Sequence, residues 1–107
     1  MKHRFVILLL TTLFIFYFFS ISSAGPIKYT VGGHAAAVSE DVIDRVIDLS
    51  ISKDYAALQQ LIDSGLVIIL KKGIKVEVVD TKIFSGKAKI RPFGTNITLW
   101  TVIEAIE

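Results

Sequence analysis

The hydrophobic period of this chain changes at Gly65. Before that residue, Val42, Ile43, Val46, Ile47 and Leu49 recur at helical spacing, with Asp41, Asp44, Arg45 and Asp48 on the opposite side, the pattern of a surface helix with one apolar stripe. Ser39 is the expected N-cap, and Glu40 and Asp41 occupy the first turn, where the helix dipole favours negative charge. Tyr55, Leu58, Leu61 and Ile62 repeat the spacing, with Ser52 as a cap and Gly65 where a left-handed C-cap is wanted. Only Ser50 to Ser52 separates the two stretches, so residues 39–65 read as a helical pair or as one kinked helix.

After Gly65 the period shortens to two. "LVIIL", residues 66–70, is continuous and rich in β-branched residues, as expected of a strand covered on both faces. In "IKVEVVD" Ile74, Val76 and Val78 face one way and Lys75 and Glu77 the other. In "KAKIRP" Ala88 and Ile90 are expected inside and Lys87, Lys89 and Arg91 outside, with Pro92 closing the strand. "FGTN" turns the chain into "ITLWT", and "VIEAIE" is short enough to form one helical turn that plugs a barrel end. Val76, Val78, Ile90 and Trp100 are expected to be buried together. The expected fold class is therefore α+β, with the helical segment packed on a small antiparallel barrel over residues 66–107.

The N-terminal part follows another logic. Lys2, His3 and Arg4 precede an apolar run from Phe5 to Phe19, and "SISSA" ends it with small residues at Ser22 and Ala24. That arrangement is a signal peptide over residues 1–24, cut after Ala24. The alternative is a retained anchor, since Phe5 to Ile27 is 23 residues without a charge and is long enough to cross a bilayer. Either way the chain is expected to be exported, to the periplasm or beyond. Residues 25–38 contain Pro26, Gly32 and Gly33 and no useful period, which predicts a flexible leader.

Without residues 1–24 the chain holds ten basic and ten acidic side chains, so the basic character of the whole belongs to its N-terminus. Residues 25–65 carry a net charge of −3 and residues 66–107 one of +3. Cysteine is absent, so packing alone must stabilise one small domain. With no Cys and only His34 as an imidazole after residue 24, neither a structural zinc site nor a cofactor is expected.

From Leu66 onward, "LKKGIKVEVVD", a turn, "GKAKIRPFG" and "LWTVIEAI" together resemble the bacterial type of Src-homology-3-like barrel found in small exported proteins. The resemblance implies a hydrophobic strand, a Val-x-Val strand, a charged strand ending at Gly, a Trp-bearing strand and a short terminal turn. It does not carry proline-rich ligand binding to any residue here. The acidic, aromatic-rich loop that builds that groove in signalling members is missing, and Thr101 follows Trp100 where wall-targeting members carry Val then Pro.

The candidate binding residues are Lys71, Lys72, Lys75, Lys87, Lys89, Arg91 and Trp100. The six cations could line an anionic polymer or acidic lipid, or they could be a solvated face that protects strand edges. Trp100 could be a ligand platform or part of the core. No catalytic residue is expected: the acids lie along a helix face, and the one His after residue 24 lies in the leader. The expected function is a small non-catalytic binding module at a bacterial cell envelope. The alternative is a protein–protein interaction factor such as a periplasmic inhibitor or assembly factor; nucleic acid is not an expected partner.

Overall fold

Ser39 starts the first helix as its position predicts. In the computed structural model, which describes residues 25–107, its hydroxyl accepts the Val42 N–H at 3.3 Å and helix α1 runs from Glu40 to Ile51. The expected signal peptide, residues 1–24, lies outside the described residues. Helix α2 spans Tyr55–Asp63, so the helical segment is a pair. Its N-cap is Asp54 rather than Ser52: the Asp54 carboxylate accepts the Ala57 N–H at 3.2 Å, while Ser52 closes α1. Between them Lys53 takes a left-handed φ of 57°, which lets the chain reverse in so few residues. Gly65 ends α2 with a φ of 81°, the conformation glycine adopts without a Cβ penalty.

Among the described residues six strands form one antiparallel sheet: β1 (Ile27–Tyr29), β2 (Ala35–Ala37), β3 (Val67–Ile69), β4 (Lys75–Lys82), β5 (Lys87–Pro92) and β6 (Leu99–Val102), in the order β1-β4-β5-β6-β2-β3. Short 3-10 turns follow β4 at Ile83–Ser85 and β6 at Ile103–Ala105. The molecule is thus α+β, but the sheet does not close by strand pairing into the expected barrel, because β1 and β3 remain its two ends.

The segment expected to be a flexible leader supplies two of the strands. β1 lies along β4 with Ile27 opposite Glu77, and β2 lies between β6 and β3 with Ala36 opposite both Thr101 and Ile68. Three consecutive alanines show no periodicity, yet Ala36 and Ala37 are fully buried. Small side chains suit a strand that has neighbours on both edges and packed layers on both faces.

Alternation divides the core in two. Ala36, Leu70, Val76, Ala88, Ile90, Leu99 and Ala105 fill one face of the sheet, with the C-terminal turn packed against them. On the other face Ala37 and Val67 meet Ile43 and Val46 of α1 and Leu61 of α2. Val76 and Ile90 group as expected and Val78 is buried, though in neither cluster, but Trp100 belongs with the helices, and Leu99 takes its place beside Ile90. Neighbouring residues of a strand face opposite ways, so choosing Trp100 as the inward residue shifted β6 by one position. Thr101, fully buried, donates its hydroxyl to the Ala35 carbonyl at 2.7 Å, which satisfies the polar atom it brings into the core.

The two ends of the sheet differ. Beside β1, Tyr29 and Glu107 exchange backbone bonds of 2.9 Å each, and the Val31 N–H reaches the Ala105 carbonyl at 3.0 Å. That end is covered by the chain's own C-terminus. Beside β3 nothing comparable is paired among the described residues, where β2 is its single neighbour in the sheet.

Candidate functional site

The row Lys87, Lys89 and Arg91 does share one face of β5, as the alternation predicts, but it is not a free cationic stripe. Lys87 is only 7% exposed because α1 packs over the start of β5. Its Nζ lies 2.7 Å from the Asp44 Oδ1 and 3.2 Å from the Glu40 Oε2, and Glu40 also holds the Lys82 Nζ at 2.7 Å. These contacts shift both titrations outward. Hydrogen bonds from Lys82 and Lys87 hold the Glu40 carboxyl below its ordinary 4.5. The Asp44 carboxylate, followed by Glu40, raises Lys87 above its ordinary 10.5 against the opposing effect of burial. Arg91 is bonded at 2.6 Å to Glu77, its partner in the β4–β5 register. Lys89 has no such carboxylate partner among the described residues; its Nζ stands 6.0 Å from the centre of the Trp100 ring.

Trp100 is half-buried rather than displayed. One side packs with the helical cluster, and the Lys82 Nζ lies 5.4 Å from its ring centre, within cation–π range. It therefore acts as a spacer between sheet and α1.

Lys71, Lys72 and Lys75 sit elsewhere. They are exposed at the opposite end of β4 from Lys82, a separation of roughly 23 Å along the strand. Thr30 organises their turn: its hydroxyl donates to the Lys71 carbonyl and accepts the Ile74 N–H at 2.9 Å. Lys75 covers the Phe93 ring at 4.4 Å, beside a shallow groove of about 420 Å³ lined by Glu77, Arg91, Phe93 and Thr95. The seven candidate residues therefore form no single site: Lys87, Lys89 and Trp100 lie toward the Lys82 end of β4, Arg91 reaches the groove beside Lys75, and Lys87 and Arg91 are paired with acids.

The structure brings forward a different feature, the outer edge of β3. "LVIIL" was expected to be covered on both faces; instead Ile68 and Ile69 are 47% and 48% exposed, and Leu66 is exposed beside them. A β-branched run indicates a strand but not its place in the sheet, and only the long-range pairing with β2 puts this one at the end. The Val38 N–H donates to the Leu66 carbonyl at 3.1 Å and the Leu70 N–H to the His34 carbonyl at 2.8 Å. Residues 66, 68 and 70 thus face β2, and the alternation of an antiparallel ladder turns the N–H and C=O groups of Val67 and Ile69 toward the open side. The edge has neither Pro nor charge within β3 to block pairing, the usual protection of such strands. The apolar length of residues 66–70 was the legible signal for it, and the missing second neighbour was not.

Searches against family models, curated proteins and solved structures found no match for this chain.

Proposed function

We propose that this protein is an exported, non-catalytic module of the cell envelope that binds another polypeptide by strand addition along β3. The observation that carries this reading is the edge itself: outward backbone groups at Val67 and Ile69, flanked by the half-exposed side chains of Ile68 and Ile69. An extended peptide laid there gains main-chain hydrogen bonds for affinity and apolar contacts for selectivity. The polyanion reading loses support on the β5 row, where Lys87 and Arg91 have carboxylate partners, while Lys71, Lys72 and Lys75 are exposed but lie away from Lys87. The Src-homology-3-like reading remains a proposal for part of the sheet. It is supported by the consecutive order β4-β5-β6 followed by a 3-10 turn and by the return of the C-terminus to β1.

A photo-crosslinking side chain placed at Ile68 of the full chain, expressed in its own cells, tests the proposal. Adducts with one discrete envelope protein are expected at position 68 and not at Lys89 on the cationic face. Adducts confined to position 89, or none at 68, would reject strand addition.

A further inference from the structure

The opposite side of the sheet carries an independent observation. At the tip of the β4–β5 hairpin Phe84 is fully exposed and Ile83 is 76% exposed. The turn that carries them is braced. Gly86 donates its N–H to the Ile83 carbonyl at 3.1 Å, Ser85 donates its hydroxyl to the Lys82 carbonyl at 3.3 Å, and Ile103 donates to the Gly86 carbonyl at 2.9 Å. Gly86 adopts the left-handed conformation, with φ of 67°, that lets the chain turn back into β5. Two large apolar side chains are thus held outward by a fixed turn rather than left free to fold back on the core.

The path of the chain says what lies next to them. β1 is antiparallel to β4, so following it backward from Ile27 moves along β4 toward the tip. The Pro26 carbonyl accepts the Val78 N–H at 2.8 Å, and Gly25 lies so close to the Val78 carbonyl that a Cβ there has no room. The residues before Gly25 therefore join the domain beside Val79, which is itself 46% exposed. Those residues include the uncharged stretch from Phe5 to Ala24. With that stretch retained as the anchor rather than cut, its point of attachment at Gly25 lies on the tip side of β1.

We infer that the β4–β5 tip rests in the lipid interface of the membrane, with Ile83 and Phe84 inserted among the acyl chains and Val79 at the rim. The contact is apolar rather than electrostatic. Lys82, the cation next to the turn, is bound to Glu40, and Asp80 lies two residues further back. A neutral bilayer is therefore sufficient, and salt has little effect. β3 lies four strand positions from β4, roughly 19 Å away across the sheet. The inference does not depend on what β3 binds.

The chain has no cysteine, so single thiols report depth cleanly. The full chain carrying Phe84→Cys is labelled with a polar environment-sensitive fluorophore and reconstituted in phosphatidylcholine vesicles containing doxyl-labelled lipid. Ile51→Cys is the control: Ile51 is also 76% exposed, but it ends α1, whose first residue Glu40 is the one that meets Lys82. The helix rise puts it roughly 16 Å from Glu40 along α1. Quenching is expected to be severalfold stronger at position 84 than at 51, unchanged between low and high salt, and reduced when Ile83→Ser is added to the Phe84→Cys chain. Equal quenching at 84 and 51, or quenching at 84 that disappears at high salt, overturns the inference.

Discussion

Lys87 carries its charge into a nearly closed space, and what surrounds it decides its role. The strand places it under α1, where Asp44 and Glu40 approach within 2.7 and 3.2 Å, so the side chain fastens helix to sheet. The two shifts bracket a wide range of pH. Glu40, lowered below 4.5, contributes stability that is present above that value and lost as pH falls through its folded-state pKa. Lys87, raised above 10.5, contributes stability that is present below that value and lost only as pH rises through its own folded-state pKa. Glu40→Gln is therefore expected to be less stable than the parent at neutral pH, with the difference shrinking as pH drops below 4.5. Denaturant titrations at several pH values, followed by fluorescence of the single Trp100, measure this. A difference that stays constant into acid would remove the ion pairs from the account.

Among the elements, β5 shows most directly how alternation becomes energy. Ile90 is fully buried with Val76 and Leu99, while Lys89 on the next position is half-exposed over Trp100. Ile90→Ala is expected to cost about 2 to 5 kcal/mol, the usual range for a buried aliphatic truncated to a cavity, and Lys89→Ala under about 1 kcal/mol. Equal costs in urea denaturation would mean that the register is wrong. The same alternation explains what the sequence made legible. Helix α1, its Ser39 cap and the inward pairs Val76/Val78 and Ala88/Ile90 follow from local spacing, because amphipathic periods and caps act over a few residues. β1 and β2 do not, because Ala35–Ala37 carry no period and their burial comes from partners 30 or more residues away. The place of β3 was hidden for the same reason: its composition describes a strand, and only the sheet order makes it an edge. Of the candidate site residues, Lys87 and Arg91 do share one face of β5, but Lys87, expected outside, is buried under α1, and the acids that neutralise the two come from α1 and β4, which local spacing does not bring together.

At the scale of the whole molecule, the sheet has one end where Tyr29 and Val31 pair with the C-terminus and one end open among the described residues, and both the open end and the hairpin tip expose large apolar side chains. The central claim is that the open end binds through its backbone. Ile69 is the residue to change, since its N–H points outward and its side chain is half-exposed. Ile69→Pro removes the donor, whereas Ile69→Thr keeps it with a similar branched shape. With the crosslinker at Ile68, the account predicts that the proline chain loses adduct by about tenfold or more, the equivalent of one or two lost hydrogen bonds, while the threonine chain retains it and both fold as the parent does. Equal adduct from the proline and threonine chains would contradict strand addition at β3.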